Sequence, residues 1–368
     1  MGAKITLACL VLGVALSVPR MGYAADIYGL EPGSPELLSA GQLAFGPDGI
    51  LLVGDARGGA VFAIATDDKS GIPADAEINI EDLSEKVGGQ LGVRPRDIVI
   101  NDLAVNPASG NVYLSVTIEE SEAALVKITA DGTISPFSLQ NVPFSKAALP
   151  DLPKDEVVQR GRRTVNLRDE AITDLAYIDG QVLISGLTDQ AAPSSVRSLA
   201  FPFSNQRTAA SLEIYHGAHG RQEDNAPIRA FVPFTIDGKP NLLAGFQCTP
   251  LVKFPLSDVT TGSKVEGTTV AELGNRNRPL DMIVYQKDGK DFLLIANSDR
   301  GVMKVSTENV ATQAGIKEKV EGGGTAGLPY ETIGELDGIE QLDRLNDGHA
   351  IVLVRNNRTI NLQTIALP

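Results

Sequence analysis

The amino-acid sequence predicts an all-β protein, a six-bladed β-propeller of four-stranded antiparallel blades. An apolar run, a tight turn and a second apolar run recur six times, about 50 to 70 residues apart, as in repeat architectures. Each turn contains Gly beside Asp or Asn, which supply the positive φ angles that tight hairpins require. The six turn pairs are Asp48-Gly49, Gly110-Asn111, Asp179-Gly180, Asp237-Gly238, Asp288-Gly289 and Asp347-Gly348.

The apolar runs around each turn predict the strands of one blade. In the first repeat the strands after the turn are residues 50–55 and 60–64, and the other repeats follow the same pattern. Fourth strands are visible in five repeats, beginning with residues 76–83, but the chain ends before a sixth. We therefore expect the strand-like residues 26–30 to complete the last blade, because ring closure removes exposed sheet edges.

The N-terminus has the pattern of a secretory signal peptide over residues 1–25. Lys4 precedes an apolar run over residues 5–18, and small residues follow it. This run is shorter than the roughly 20 residues of a membrane span. We expect an exported protein, periplasmic or extracellular, with residues 26–368 as one propeller domain that has no membrane segment. Cys248 then has no partner for a disulfide within the mature chain.

Composition narrows the partners and cofactors. The formal net charge is −14, and loss of Lys4 and Arg20 with the signal would make it more negative. Such a charge argues against nucleic acid and anionic membranes as partners. The sequence contains no C-x-x-C-H motif, Walker loop or dinucleotide fingerprint, so we expect neither haem nor a nucleotide cofactor.

The segment AFGPDGILLVGDARGGAVFAI, residues 44–64, carries a family likeness. It resembles the broad group of six-bladed propellers that includes NHL-repeat proteins, gluconolactonase-like lactonases and β-propeller phytases. The likeness extends over the mature chain as a repeated pattern of strands and turns, without a motif specific to one family. It therefore implies architecture rather than chemistry. Because the lactonases and phytases hold metals with carboxylates, the resemblance also implies that acidic residues of this chain are candidate metal ligands.

Arginines concentrate in the loops that the propeller places on one face. The planar guanidinium group binds carboxylate or phosphate in a bidentate manner, so this face is a candidate for a small anionic molecule or an acidic partner segment. The alternative is that these arginines pair with nearby acids such as Asp97, Asp169, Glu170 and Glu223. The candidate ligand-binding residues are Arg162, Arg221, Arg229, Arg276 and Arg278, together with Cys248.

Polar residues mark the start of each predicted inner strand, where the blades converge on the channel. Four acids at one axis would raise each other's pKa unless a cation joined them, and oxygen ligands suit Ca²⁺ or another hard divalent ion. The alternative is that each acid accepts hydrogen bonds from backbone N–H groups of a neighbouring blade. The candidate metal ligands are Asp102, Asp174, Asp281 and Glu340.

Two histidines and the cysteine form a third candidate cluster on the loop face. His216, His219 and Cys248 carry donors that favour Zn or Cu. An H-x-x-H at a strand end does not by itself aim both rings at one point, so a ligand-contacting loop is the preferred interpretation, with any metal nearer the channel. His216 and His219 are the candidate catalytic residues, as general acid or base.

Three functions are compatible with these patterns. The first is an exported, non-enzymatic propeller that binds a small anionic ligand on its arginine-rich face, with or without a divalent metal at the channel mouth. The second is a metal-dependent hydrolase of esters, lactones or phosphoesters. The third is a structural propeller that mediates protein interactions.

Overall fold

The computed structural model describes residues 28–73, 77–119, 121–160, 163–322 and 324–368, and these are mostly β-structure. Six sheets surround a central channel, each forming one blade, so the predicted six-bladed β-propeller is confirmed. The α-helix α1 spans Leu83–Leu91. No helix in the described ranges is long and apolar enough to cross a membrane.

The strands are mostly three to ten residues long and alternate with tight turns. In chain order they are β1 (Glu31–Gly33), β2 (Leu43–Phe45), β3 (Ile50–Asp55), β4 (Ala60–Ala65), β5 (Asn79–Ile80), β6 (Ile98–Val105), β7 (Val112–Ile118), β8 (Glu122–Ile128), β9 (Ile134–Pro136), β10 (Val142–Ala148), β11 (Val157–Arg160), β12 (Arg163–Asn166), β13 (Asp174–Ile178), β14 (Gln181–Leu187), β15 (Ser194–Ala200), β16 (Arg207–His216), β17 (Arg221–Glu223), β18 (Ile228–Ile236), β19 (Lys239–Phe246), β20 (Pro250–Pro255), β21 (Lys264–Glu266), β22 (Thr268–Leu273), β23 (Pro279–Lys287), β24 (Lys290–Asn297), β25 (Val302–Ser306), β26 (Thr325–Gly327), β27 (Tyr330–Ile333), β28 (Ile339–Arg344), β29 (His349–Asn356) and β30 (Thr359–Ala366).

Each blade begins with an inner strand at the channel and adds strands outward. We number the blades I to VI by the order of their inner strands in the chain. A separate hairpin, β11-β12, lies between blades II and III in the sequence. From the channel outward the blades are I (β2-β3-β4-β10-β1), II (β6-β7-β8-β9), III (β13-β14-β15-β16-β17, with β21 beside β16), IV (β18-β19-β20-β22-β26), V (β23-β24-β25-β27) and VI (β28-β29-β30-β5).

The predicted Asp-Gly turns join first to second strands, and both residues adopt left-handed φ angles at Asp48-Gly49, Asp179-Gly180, Asp237-Gly238 and Asp288-Gly289. Asp179 and Gly180 have φ of 47° and 77°, and Asp237 and Gly238 have φ of 49° and 73°. These values match the primed turn that the right-handed twist of a hairpin favours. Local turn chemistry therefore sets the register of these hairpins and sends the apolar side chains of the second strands into the core.

The order of blades around the ring differs from their order in the chain. The inner strand of blade I contacts those of blades II and III, and the inner strand of blade II contacts that of blade VI. The ring therefore runs I, III, IV, V, VI, II. After blade II the chain returns to the outer part of blade I as β10, and then continues to blade III on the other side.

The predicted closure by the N-terminal segment is wrong. Strand β5 completes blade VI by pairing with β30, whereas β1 pairs with β10 in blade I. Residues 26 and 27 lie outside the described ranges, and residues 28–30 form no strand. The physical reason is the ring order: an outer strand leads into the inner strand of the adjacent blade, and β5 precedes blade II, the neighbour of blade VI. Residues 76–83, predicted as the fourth strand of blade I, contain this closing strand.

The apolar core lies between adjacent blades. One cluster joins blades II and VI, and it includes Ile78 and Ile80 beside the closing strand. Backbone and side-chain hydrogen bonds between Ile78 and Thr364 measure 2.8 and 2.9 Å. Burial of apolar surface at such seams is the main term that holds the ring together.

We expect Ile78→Ala to lower the free energy of unfolding by about 2–5 kcal/mol, because it removes a fully buried side chain at the ring closure. Urea unfolding followed by circular dichroism measures the change. Ile72→Ala, at a side chain that is 64% exposed, is the control and should change stability by less than about 0.5 kcal/mol. If both substitutions changed the free energy of unfolding by the same amount, β5 would not close the ring.

Candidate functional site

A cavity of about 1040 Å³ opens at the seam between blades III and IV, beside the hairpin β11-β12. Its size is that of a site for a small molecule. Several of the residues predicted from the sequence meet in its wall. The lining consists of Thr164, Val165, Asn166, Asp169, Glu170, His216, His219, Glu223, Asn225, Ala226, Pro227, Arg229, Gln247, Cys248 and Arg278.

The two histidines lie at the ends of a single helical turn that follows β16. The backbone N–H groups of His219 and Gly220 donate to the carbonyl oxygen of His216 at 3.1 and 2.8 Å. Gly220 ends the turn with φ of 67°, a conformation that favours glycine. Because residues three apart in a helical turn lie on one side, the imidazole rings face each other, with centroids 3.8 Å apart.

A carboxylate that the sequence analysis did not select as a site residue holds both rings. Glu223 lies on β17, which pairs antiparallel with β16 and returns past the turn. Its Oε2 is 2.8 Å from Nδ1 of His216, and its Oε1 is 2.7 Å from Nδ1 of His219. Arg221 Nε donates to Oε1 at 2.9 Å. One carboxylate therefore orients both imidazoles.

The charge of Glu223 fixes the tautomers of the histidines. Burial alone would raise the pKa of Glu223, but hydrogen bonds from His216, His219 and Arg221 outweigh it and lower the pKa to about 2. An ionised carboxylate only accepts hydrogen bonds, so each Nδ1 carries a proton, and in the neutral form of each ring Nε2 presents a lone pair. Nε2 of His216 is buried and has no hydrogen-bond partner within the described ranges.

The cysteine approaches the histidines from blade IV. Cys248 lies in the tight connection between β19 and β20, and its N–H donates to Asn277 at 2.8 Å. Cys248 and Thr249 have φ of 64° and 61°, a left-handed conformation that costs non-glycine residues roughly 1–3 kcal/mol each. The connection is therefore strained where it directs the thiol towards the cavity.

Together these residues form a three-donor cluster. The ligand atoms of His216, His219 and Cys248 lie within 4.8 Å of one another. Ligand atoms of one zinc ion, each about 2.0–2.3 Å from it, lie roughly 3.5 Å apart in tetrahedral geometry, so small side-chain movements bring all three to one ion. The helical turn provides the convergence that the H-x-x-H spacing alone does not predict.

Ion pairs account for much of the arginine-rich face. Arg221 pairs with Glu223 as described, and Arg229 Nη2 lies 2.8 Å from Glu170 Oε1. Arg229 lines both the seam cavity and the central channel. The predicted alternative, pairing with nearby acids, therefore holds at these positions. Further pairs on this face are Arg57–Asp169, Arg94–Asp97 and Arg355–Glu340.

The remaining predicted arginines are distributed differently. Arg278 lies in the cavity wall. Arg276 is exposed, is not part of that wall, and has φ of 58°. Arg162 lies outside the described residues. Of the predicted ligand-binding arginines, the structure therefore places Arg229 and Arg278 at the cavity.

The acids of the channel act as hydrogen-bond acceptors between blades. Asp102, Asp174 and Asp281 face a central cavity of about 500 Å³, as does Asp343. Each accepts from the backbone N–H of a neighbouring blade, which is the predicted alternative to metal binding. The donors are Leu43 to Asp102 at 2.7 Å, Phe231 to Asp174 at 2.6 Å, Leu342 to Asp281 at 2.9 Å and Val105 to Asp343 at 2.7 Å.

The placement of Glu340 in this ring is wrong, because Glu340 is the bulged residue of β28, and the acid of blade VI that lines the channel is Asp343. A β-bulge in β28 shifts the register at Glu340. A one-residue shift moves a side chain to the other face of a strand. Glu340 consequently pairs with Arg355, whereas Gln341 and Asp343 line the channel.

Burial raises the pKa values of the channel acids. The pKa of Asp174 rises to about 7 and that of Asp343 to about 6, although backbone N–H groups favour their ionised forms. Burial also raises the pKa values of Asp102 and Asp281 well above the ordinary value, and the negative charges of neighbouring channel acids add to the rise. The blades are thus joined by acids that bind protons more tightly in the folded chain than in the unfolded chain.

The comparisons with known proteins do not assign this chain to a family. No protein-family model and no curated protein matches the chain. Among solved structures, it is similar to a putative 6-phosphogluconolactonase from Bacteroides uniformis (12% identity, 87% of this chain and 74% of that chain, TM-score 0.33). It is also similar to a putative glucose dehydrogenase-type oxidoreductase from Thermus thermophilus (13%, 91% and 99%, TM-score 0.34) and to a yeast Nup82–Nup159–Nup116 nucleoporin complex chain (9%, 89% and 97%, TM-score 0.38). Similarities with such low identities and TM-scores carry no information about the site. The count of six blades follows from the sheets of this structure.

Stability should fall as pH rises from about 4 to 7. The channel acids have folded pKa values above the ordinary value of about 4, so the stability they contribute at low pH is lost as pH rises through the folded values. Melting temperatures measured in steps across this range test the trend. Asp281→Asn should flatten it, because one titrating group is removed.

The same measurement tests the predicted channel metal. Ca²⁺ added at pH 8 should leave the melting temperature unchanged if the acids serve only the backbone. A rise that Asp174→Asn abolishes would instead establish a cation among the channel carboxylates. Stability that increased from pH 4 to 7 in both the wild type and Asp281→Asn would contradict the raised pKa values.

Proposed function

We propose that this protein is a metal-dependent hydrolase whose transition-metal ion, zinc in the first instance, is held by His216, His219 and Cys248. The observation that carries the proposal is the convergence of these three donors within 4.8 Å at the wall of a cavity. This moves the metal of the predicted hydrolase from the channel acids to the seam. Two imidazoles and a thiolate suit Zn²⁺ or Cu better than the hard ion Ca²⁺.

The residues around the donors have the arrangement that metal-binding histidines require. Metal-ligating histidines almost always donate their other ring nitrogen to a carboxylate or carbonyl. Glu223 accepts from Nδ1 of both His216 and His219, which leaves both Nε2 atoms for a metal. The strained backbone at Cys248 supports the same interpretation, since strain of this kind clusters at functional sites.

Three protein ligands would leave the fourth position of a tetrahedral zinc ion for water or substrate. When bound there, zinc would lower the pKa of a coordinated water to about 7 and polarise a carbonyl or phosphoryl oxygen. Arg229 and Arg278 in the cavity wall would orient a negatively charged group of the substrate. The candidate substrates are small esters, lactones or phosphoesters that fit the cavity.

A second candidate function is binding without catalysis. It is favoured by Arg229 and Arg278 in the cavity wall, because guanidinium groups there can contact a small anion or an acidic partner segment. Export to the periplasm or beyond is also part of the proposal. It rests on the signal-like residues 1–25, which lie outside the described ranges.

The first test is metal content and affinity. We expect one zinc per chain after purification with zinc, measured by mass spectrometry, and loss of stoichiometric binding in His216→Ala and Cys248→Ser. Glu223→Gln should weaken binding about 10–100-fold, because the amide cannot accept from both rings. The control His349→Ala changes an exposed histidine whose ring contacts Asn346, and it should bind as the wild type does. Wild-type protein that binds no transition metal would refute the proposal.

The second test is hydrolysis. The zinc-loaded protein should cleave chromogenic esters or phosphoesters, or open small lactones, with the rate measured by absorbance or proton release. Removal of zinc, or Cys248→Ser, should lower the rate at least about 100-fold. Arg278→Ala should raise KM more for anionic than for neutral substrates. Stoichiometric zinc without turnover of any of these substrates would favour the second candidate function.

A further inference from the structure

The metal cluster is divided between two blades, so something must set the distance between its halves. His216 and His219 follow the outer strand β16 of blade III, and Cys248 lies between two strands of blade IV. Metal ligands must be held to within a fraction of an ångström for tight binding. Contacts that cross from one half of the cluster to the other can therefore set this distance.

The side chain of Glu272 connects the two halves of the cluster. It lies on β22 of blade IV, is fully buried, and pairs in register with Pro250, two residues after Cys248. Its Oε1 accepts a hydrogen bond of 2.5 Å from the N–H of Gly217, and Ala218 donates a second backbone hydrogen bond to the same carboxyl group. These two N–H groups lie between the two histidines, and both donate to the same carboxyl group.

Neighbours of Glu272 reinforce both halves. Thr269 Oγ1 donates to the carbonyl oxygen of Tyr215 at 2.6 Å, directly before the first histidine. On the other side, the N–H of Leu273 donates to the carbonyl oxygen of Thr249 at 3.1 Å, directly after the cysteine. Strand β22 thus contacts the chain next to both donor segments, and Glu272 is its charged contact with the histidine turn.

The fit at Gly217 shows how closely the carboxyl approaches. A Cβ atom added to Gly217 would lie 2.9 Å from Oε1 of Glu272 and 3.0 Å from its Cγ. Both distances are shorter than ordinary van der Waals contact. Gly217 has no positive φ, so substitution there tests crowding against Glu272, and against Val320 at 3.0 Å, rather than backbone strain.

The arrangement is costly for a purely structural contact. Burial raises the pKa of Glu272 to about 7, and the nearby negative charge of Glu223 adds to the rise. Its Oε2 is buried and has no hydrogen-bond partner within the described ranges. An unsatisfied buried polar atom lowers stability, a loss that an apolar residue would avoid.

We propose that Glu272 is a positioning residue, which aligns the His216–His219 turn of blade III with Cys248 of blade IV and so sets the affinity and geometry of the metal site. It acts through Gly217 and Ala218 rather than by touching the metal. This inference rests on the proposed metal centre at these three residues.

Cobalt titration of the metal-free protein tests the inference, because Co²⁺ bound to a thiolate gives a charge-transfer absorption band. We expect Glu272→Ala to weaken Co²⁺ binding about 10–100-fold, the cost of losing a supporting group around metal ligands, and to shift the band. Glu272→Gln should retain most of the affinity, because an amide oxygen still accepts from the turn. Gly217→Ala should resemble Glu272→Ala, since it displaces the same carboxyl.

Two controls separate positioning from folding. Gly89→Ala, in α1 with nothing within 4 Å of an added Cβ, should bind Co²⁺ as the wild type does. The melting temperature of each metal-free variant shows whether it folds. If Glu272→Ala does not fold, Gly217→Ala carries the test. Folded Glu272→Ala or Gly217→Ala protein with the affinity and band of the wild type would overturn the role of Glu272, whereas wild-type protein without the cobalt–thiolate band would overturn the metal centre itself.

Discussion

Ring closure is the constraint on which the rest of the structure depends. Each blade exposes apolar surface on both faces, and only a closed ring buries all of it. The core clusters accordingly lie at the seams between blades. At the channel, Asp102, Asp174, Asp281 and Asp343 add hydrogen bonds from one blade to the next. A rigid ring of this kind can hold a strained loop, such as the one at Cys248, in place.

The seam between blades III and IV differs from the others in its chemistry. Elsewhere the charged groups that cross between blades are matched to backbone or to opposite charge. Here His216, His219 and Cys248 line a cavity. Glu223 binds both imidazole rings, whereas Glu272 binds the backbone of the turn between them.

Sequence patterns predict the parts of this protein that local chemistry decides. The Asp-Gly pairs predict the hairpins, and strand repetition predicts six sheets. Which strand closes blade VI depends on the order of blades in the ring, a long-range property without a local signal. Glu340 was assigned to the channel because a bulge cannot be seen in the sequence.

The site shows the same division between local and long-range information. His216, His219 and Cys248 stand out in the sequence by their residue types. Their convergence depends on the helical turn and on contacts across the seam, which spacing alone does not reveal. Glu223 was recognised only as an acid near the arginines, although its position seven residues after His216 fits a hairpin return. No sequence pattern points to Glu272, because its hydrogen-bond partner is the backbone of another blade.

X-ray absorption spectroscopy of the zinc-loaded protein tests the central claim most directly, because it reports which atoms surround the metal. A metal held at the seam should show one sulfur at about 2.3 Å and two nitrogens at about 2.0–2.1 Å, with a light atom in the fourth position. A shell made only of oxygen atoms would contradict this account and would place the metal among the carboxylates of the channel.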